Sequence, residues 1–496
     1  MYIFDLQNGS DIRGVALKDN KSKKNVNLTP EIAANIVAGF AEFLKEETKK
    51  EKLRIAIGRD SRITGKPILE YSAAYLSSLG HDAYDCGIAS TPSMFMTTQD
   101  VKMKADGGIM ITASHLPYER NGMKFFTKNG SLNKNDIRKV LEITDKNYNH
   151  DIKFYPVNLV RVNYIKRYSD MLIDIIREET KEEKPLEGSK IIVDAGNGAG
   201  GFFPINVLEP LGADIRGSLY LEPDGFFPNH EPNPENTEAV KDLQKTVLKE
   251  EADLGIIFDT DVDRAAVVDN EGNIINRNRL IALISKIILQ EHPNTYIVTD
   301  SITSKGLQDF IEKSGGIHHR FKRGYKNVIE ESKKLNLEGK ESWLAIETSG
   351  HCAFKENYFL DDGAYLIIKI LIEFSKLKTK GKNIQDLIAE YKDPLEEKEL
   401  RFKILEEDFK KYGQDVIKDL EKYVSQEERW EIVEPNYEGI RINCEDPDEK
   451  GWFLLRISLH DPKLVVNIES DIKNGVEKIE KKLISFLHNF KGLDLW

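Results

Sequence analysis

Three carboxylates stand within five residues in Asp259-Thr260-Asp261-Val262-Asp263-Arg264, directly behind the apolar run Asp253-Leu-Gly-Ile-Ile-Phe258. The apolar run reads as a short buried strand, so the acids fall where a strand ends. At alternate positions of an extended or tightly looped segment they can turn toward one point. Their repulsion grows in a low-dielectric pocket. A divalent cation resolves the conflict, and all-oxygen ligation favours a hard ion such as Mg²⁺. Carboxyl ends of strands are also where α/β sheets keep their ligands. The segment reads as a metal loop in an enzyme, against the plainer reading of a solvated acidic turn in a chain with 83 acidic residues. A calcium EF-hand would need Gly at the sixth loop position and Glu at the twelfth. Arg264 and Asn270 stand there and exclude it.

A chain of 496 residues is too long for one core and predicts about three or four domains. A net charge of −12 argues against nucleic acid or an anionic membrane as the main partner. Cys86, Cys352 and Cys444 form neither a disulfide framework nor a zinc pattern, which fits a reducing cytosol. No apolar segment reaches membrane-spanning length and no signal-peptide pattern opens the chain, so a cytoplasmic location is expected.

A short apolar strand, a polar loop and an amphipathic helix recur along the sequence. Thr29-Pro30-Glu31 predicts the start of a helix carrying Ile32, Ile36, Phe40, Phe43 and Leu44 on one face. Strands are predicted at Leu53–Ile57 and Gly108–Ile111, with a helix from about Pro67 to Gly80 between them. The scheme restarts at Lys190–Asp194, followed by a helix ending near Leu211-Gly212, and again after about Asn276. Strands alternating with helices imply mixed α/β layers, here in three similar units. Beyond the basic stretch Leu377–Asn383, strand-like Glu438–Ile442, Trp452–Ile457 and Leu464–Ile468 with a final helix predict a smaller α+β domain.

The loops hold the chemistry. Ser114 lies in Thr112-Ala-Ser-His-Leu-Pro-Tyr-Glu-Arg-Asn121-Gly-Met-Lys124, at a strand end beside a histidine. A covalent nucleophile or a phosphate acceptor fits there, and the absence of G-x-S-x-G disfavours acyl transfer. Phosphoryl transfer needs a metal and surrounding cations. Arg13, Arg59, Arg62, Lys124 and Arg264 are placed in loops at strand ends and can supply them, although any one of them could be a surface cation. Gly196-Asn-Gly-Ala-Gly-Gly201, with Glu222 beyond it, also satisfies a dinucleotide fingerprint, but Asn197-Gly198 is equally a tight turn. Glu347-Thr-Ser-Gly-His351 offers a carboxylate, Ser349 and an imidazole suited to a sugar's hydroxyls, or equally a helix cap. Arg456-Ile-Ser458-Leu-His460 offers donors for an anion, or is a polar turn.

Taken together and in order, these loops resemble those of the α-D-phosphohexomutases. Thr112–His115 with Asn121-Gly122-x-Lys124 resembles the family's phosphoserine loop, Asp259–Arg264 its D-x-D-x-D-R magnesium loop, and Glu347–His351 its E-x-S-G-H sugar loop. Gly324-Tyr325 resembles the partner sugar loop, and Arg456, Ser458 and His460 resemble the C-terminal phosphate loop. Asp11–Gly14, Gly58–Arg62 and Pro223–Pro234 also fit.

The resemblance implies three related mixed α/β domains and a C-terminal α+β domain in a heart-shaped, four-domain architecture. Its domains would be residues 1–155 with the phosphoserine loop, 156–273 with the metal loop, 274–382 with the sugar loop and 383–496 with the phosphate loop. It implies phosphorylated Ser114 completing a Mg²⁺ shell with Asp259, Asp261 and Asp263. Arg13, Lys124 and Arg264 would lie near the transferring phosphate, with Lys124 and His351 as acid/base candidates. Glu347, Ser349, Gly324, Tyr325, Arg456, Ser458, His460 and Arg59 would bind substrate. The implied reaction interconverts glucose or mannose 1- and 6-phosphates through a hexose 1,6-bisphosphate, which also serves as activator, in a monomer or homodimer. Leu116 and Leu459-His460 depart from the family pattern, as do Tyr325 and Asp300–Ser304. A phosphoglucosamine mutase, whose loop usually has Gln where Thr348 stands, is the alternative within the class. A non-catalytic sugar-phosphate binder and a nicotinamide dehydrogenase are the alternatives outside it.

Overall fold

The structure is a computed structural model that describes residues 3–18, 25–152, 159–458 and 461–495. The chain forms two compact units, Met1–Asn276 with Ser349–Asp386, and Arg277–Thr348 with Leu387–Trp496.

The first unit holds two mixed sheets. In one, Arg54–Arg59 lies between Asp82–Ile88 and Gly107–Ile111, all parallel. Arg120–Thr127 and Asp11–Val15 extend this sheet antiparallel. Helix Pro30–Thr48 begins as its sequence requires, with Thr29 accepting the Ile32 N–H and Pro30 in the first turn. Its face carrying Ile36, Phe40 and Phe43 joins the core built on Ile55, Ile57 and Ile109.

Three cations assigned to loops lie in strands instead, Arg59 as the last residue of Arg54–Arg59. Arg13 is central in Asp11–Val15, and Lys124 is central in Arg120–Thr127, where it pairs with Met110. The turn Leu116–Glu119 returns the chain as an antiparallel partner of Gly107–Ile111, so the polar motif is half loop and half strand. Alternate side chains of a strand face opposite ways, which lets a buried strand carry one cation toward a site.

The second sheet pairs Ile191–Asp194 parallel to Leu254–Phe258, which turns back antiparallel as Ala265–Asp269. The helix predicted to end near Leu211 is a short irregular stretch, Pro204–Leu208 and Glu209–Leu211, with Pro204 and Pro210 interrupting the backbone donors. Helix Gly363–Lys378 is buried on nearly every side, so it carries no amphipathic period by which a sequence pattern could find it.

The second unit contains the parallel strands Ile317–Arg320, Tyr296–Thr299 and Ser342–Ile346. It also holds an antiparallel sheet in the order Trp430–Ile432, Ile440–Cys444, Gly451–Ile457, Lys463–Ser470, Glu396–Ile404 and Leu493–Asp494. Helices Phe409–Val424 and Gly475–Leu487 add Val416, Leu420, Ile479 and Leu483 to the core on that sheet. Among the described residues no helix is long and apolar enough to cross a membrane, and the three cysteines are unbridged and buried.

The Gly196–Gly201 loop packs against the metal loop. A Cβ on Gly198 would lie 2.7 Å from the Thr260 carbonyl oxygen, and the next N–H, of Ala199, donates to that oxygen at 2.8 Å. Asn197 donates to the Glu222 carbonyl, so this segment is a backbone packing element. Gly198→Ala is expected to lower stability by about 1–3 kcal/mol through overpacking, measured as a fall in urea midpoint relative to the parent chain.

Candidate active site

Residues Asp259–Arg264 close a tight hairpin loop: Phe258 pairs with Ala265, the Val262 N–H donates to the Asp259 carbonyl at 3.3 Å, and the Asp259 N–H donates to the Arg264 carbonyl at 3.3 Å. Of the two conformations open to the sequence, the aspartates converge through the loop. Its cost is visible at Val262, a β-branched residue at φ +64°, a conformation that costs about 1–3 kcal/mol. Burial of the Val262 side chain and a 3.1 Å hydrogen bond from the Gly363 N–H to its carbonyl hold it there.

Asp259, Asp261 and Asp263 are almost completely buried. One oxygen of each lies within 4.8 Å of the others. Asp261 Oδ1 and Asp263 Oδ1 have no hydrogen-bond partner. Buried carboxylate oxygens without donors are costly, and an all-oxygen set with excess negative charge suits a hard divalent cation. The residues present therefore fit Mg²⁺. Burial and the carboxylates of Asp263 and Asp261 push the Asp259 pKa up. Asp263 goes the other way: against burial, Lys124, His351 and Arg264 hold it far below the usual carboxylate range.

Cations and helix ends surround the loop. Lys124 Nζ donates to Asp261 Oδ2 at 2.9 Å and to Asp263 Oδ2. Arg264 Nε donates to Asp259 Oδ2 at 3.2 Å, and its Nη1 reaches Asn233 Oδ1 at 3.3 Å. The N-terminus of helix Thr91–Gln99 meets the loop, where Thr91 N–H donates to the Asp261 carbonyl at 2.8 Å and its hydroxyl to Asp261 Oδ2. The favourable end of a helix dipole thus faces an acid.

Ser114 follows strand Gly107–Ile111 at φ +51° and its Oγ donates to Asp259 Oδ2 at 3.1 Å. Arg62 is buried and spends its guanidinium on the carbonyls of Ser114, Leu116, Pro117 and Arg120. It braces the serine loop and is not a free phosphate ligand. The side-chain departure at Leu116 leaves this contact intact, because only the carbonyl is used. Arg13 Nη1 donates to the Thr112 carbonyl at 2.5 Å and its Nη2 to Asp11 at 2.9 Å. Arg59 donates to the Asp60 carbonyl at 3.0 Å, and among the described residues no hydrogen bond joins it to the aspartates.

His351 enters the same cluster. Its Nδ1 pairs with Asp361 Oδ2 and lies 4.0 Å from Asp263 Oδ1. Burial works against its charge, but Asp361 and Asp263 outweigh it and raise its pKa to about 9. His115 is the opposite case. Burial, Arg264 and His351 lower its pKa to about 3, so it is neutral and its Nδ1 accepts from Arg264 Nη2 at 2.9 Å.

In the second unit, Glu347 Oε1 accepts the Gly324 N–H at 2.5 Å, and Thr348 Oγ1 donates to Asp300 Oδ2 at 2.7 Å. Tyr325 is the first residue of helix Tyr325–Leu337. Ser349 falls in the first unit. Arg456 is buried at the end of strand Gly451–Ile457 with an unpartnered Nε. Ser458 donates its N–H to the Lys463 carbonyl at 2.9 Å, and His460 lies outside the described residues.

Thr91, Asp361 and Arg323 were not singled out by their motifs. Asp361 stands before the helix cap Asp362 and reads as capping; only the fold turns it to His351. Arg323 sits beside Gly324 in sequence, and its N–H donates to Glu438 Oε2 at 3.1 Å.

Family models described as phosphoglucomutase/phosphomannomutase alpha/beta/alpha domains I, II and III match residues 5–151, 166–272 and 276–393. The chain is 31% identical over 442 residues to the phosphomannomutase/phosphoglucomutase of Pseudomonas aeruginosa, covering 89% of this chain and 88% of that one. It is 31% identical to the phosphomannomutase of Methanocaldococcus jannaschii, covering 88% and 91%. The chain belongs to the phosphoglucomutase/phosphomannomutase family. A phosphoglucomutase/phosphomannomutase family protein of Burkholderia thailandensis shares the fold at 24% identity, with TM-score 0.77 and 98% of each chain covered. The family's three α/β/α domains are followed in this member by the antiparallel sheet and two helices of the C-terminal domain.

Two outcomes follow from the charges in this family member. In the metal-free protein, His351 is expected to titrate near 9 by NMR, and Asp361→Asn lowers that value because it removes the nearest carboxylate. His115 has a folded pKa below its unfolded value of 6.5. The unfolded chain therefore binds the extra proton, and stability is lost as pH falls from 6.5 toward 3. His115→Gln is expected to flatten the slope of urea midpoint against pH across that window.

Proposed function

We propose that this chain is a Mg²⁺-dependent phosphohexomutase that interconverts hexose 1- and 6-phosphates, of glucose, mannose or both, through phosphorylated Ser114. The observation that carries this reading is the Ser114 Oγ placed 3.1 Å from Asp259 Oδ2, in a cluster that also holds Lys124 and Arg264. A binding protein has no need of a hydroxyl held at a cation site. The names of relatives in bacteria and archaea, phosphomannomutase/phosphoglucomutase and phosphomannomutase, support the same chemistry.

In this reading Asp259, Asp261, Asp263 and the phosphate of Ser114 would hold Mg²⁺, which would supply positive charge to the phosphoryl group. The phosphorus–Oγ bond of phosphoserine breaks as a bond forms from phosphorus to the O1 or O6 of the bound sugar phosphate. The proton that leaves the sugar hydroxyl is matched by the one that Ser114 Oγ takes up, so the serine hydroxyl is regenerated with no net change in protons. The resulting hexose 1,6-bisphosphate, also the activator, returns its other phosphate to Ser114. Arg13 and Arg264 stabilise charge at the transferring group. His351, charged at neutral pH by Asp361, serves as donor to the sugar, and Lys124 is the acid/base candidate on the serine side. Glu347, Ser349, Gly324 and Tyr325 bind the sugar. Arg456, Ser458 and His460 take the phosphate that does not react, with Arg59 a further contact. We place the domains at 1–155, 156–273, 274–382 and 383–496, a division supported by four sheets and by the spans of the family models. We assign a cytoplasmic location on the unbridged cysteines.

Turnover should be measured on glucose 1-phosphate, mannose 1-phosphate and glucosamine 1-phosphate with Mg²⁺ and a hexose bisphosphate. Ser114→Ala is expected to abolish turnover with its circular dichroism unchanged. Absence of turnover on every sugar, in protein carrying phosphate on Ser114, would refute the enzymatic reading. Preference for glucosamine 1-phosphate would select the alternative sugar.

A further inference from the structure

A second group of basic side chains lies in the second unit, in part on the strand neighbouring the one that carries Arg456 but around a space with different residues on its wall. Strand Ile317–Arg320 and the segment from Val433 to Arg441 enclose a cavity of about 150 Å³, with His318, Arg320, Asn436, Glu438 and Arg441 on its wall. Ordinary small-molecule pockets begin at about 300 Å³, so the space suits a small ion better than a hexose phosphate.

Arg441 is buried and Arg320 half-buried, and both lack the charged partners that cations out of water normally have. Arg441 is 5% exposed. Its guanidinium carbon stacks 3.5 Å from the Trp452 ring centroid, and Nη1 donates to the Ser301 carbonyl at 3.0 Å. Arg320 donates to Thr303 Oγ1 at 3.2 Å, Gln308 Oε1 at 2.9 Å and the Ser304 carbonyl at 3.0 Å. Every one of these acceptors is neutral, and among the described residues neither arginine forms an ion pair. The two also repel each other.

The surrounding acids do not settle the imbalance: Glu434, also on the wall, is exposed and accepts the Asn436 N–H at 2.9 Å, and among the described residues it forms no ion pair with either arginine. Glu438 Oε2 is taken by the Ser301 hydroxyl at 2.6 Å and the Arg323 N–H at 3.1 Å. Glu469 accepts Trp452 Nε1 at 2.8 Å, and burial raises its pKa to about 7, so it is only partly charged at neutral pH. The Nδ1 of His318 is buried without a partner. A guanidinium with one face on an indole keeps its edge for a planar, two-point contact, which is the geometry that recognises oxyanions.

We propose that this cavity is a binding site for one small oxyanion, phosphate or a small carboxylate, held by Arg441 and Arg320. The proposal does not depend on the mutase reading.

Equilibrium dialysis of the full chain with radiolabelled inorganic phosphate tests it, using an Arg456→Ala background to weaken the other phosphate site. Phosphate binding is expected to persist in that background and to weaken about tenfold or more when Asn436→Asp is added. Asn436 Oδ1 accepts the Arg441 N–H at 3.0 Å, and aspartate keeps that acceptor while setting a negative charge beside the cavity. In the otherwise unaltered chain, Asn436→Asp should leave turnover at saturating substrate unchanged. Arg441→Lys, which keeps the charge and loses the fork, is the second variant and should also weaken binding. Urea midpoints in phosphate-free buffer monitor folding. Displacement of phosphate by acetate at lower concentration would assign a carboxylate as the occupant; displacement by sulfate but not acetate would assign a phosphate-like ion. Loss of all phosphate binding in Arg456→Ala alone, or unchanged binding in both cavity variants, overturns the site.

Discussion

The mutual repulsion of three buried carboxylates organises the first unit. Asp259, Asp261 and Asp263 cannot all remain charged in a dry pocket unless positive charge and hydrogen-bond donors are brought to them. Strand Arg120–Thr127 brings Lys124, and the start of helix Thr91–Gln99 brings Thr91. Arg264 folds back from the loop itself, and the segment after Ser349 brings His351. A hard cation completes what these groups begin.

The same constraint explains the strained and close-packed backbone around the loop. Val262 accepts a left-handed conformation in a loop where the Gly363 N–H holds its own carbonyl and the Ala199 N–H holds that of Thr260. The glycine segment Gly196–Gly201 serves close approach of two chains of backbone, which is why it imitates a cofactor fingerprint. Its Gly198 permits contact with Thr260, and the position where a ribose-binding acid would stand, Glu222, offers a carbonyl to Asn197. A glycine pattern states only that backbone must come near something, and here that partner is protein.

Charge is arranged with the opposite sign in the second unit. Arg456 at one strand end and Arg441 elsewhere are buried, Arg320 is half-buried, and among the described residues none of the three forms an ion pair. Buried cations of this kind are tolerated where an anion shares the cost of desolvation.

The order of the elements and the chemical type of each loop are written in short stretches of the sequence. Apolar runs such as Leu254–Phe258 and capped helices such as Pro30–Thr48 are local in origin, because alternation and capping act within a few residues. The serine and the aspartates were legible because three acids in five residues have few structural explanations. Whatever depends on approach between distant segments came only with folding. Folding placed Arg13, Arg59 and Lys124 in strands, turned Arg62 from one of several loop cations that could supply charge into a brace for the serine loop, and left Arg59 on its neighbour's carbonyl. It gave His351 a carboxylate partner in Asp361 and kept His115 neutral, although both are histidines beside polar motifs. A side chain's charge and task are set by burial and by neighbours far along the chain, and those distances are fixed only when the chain folds.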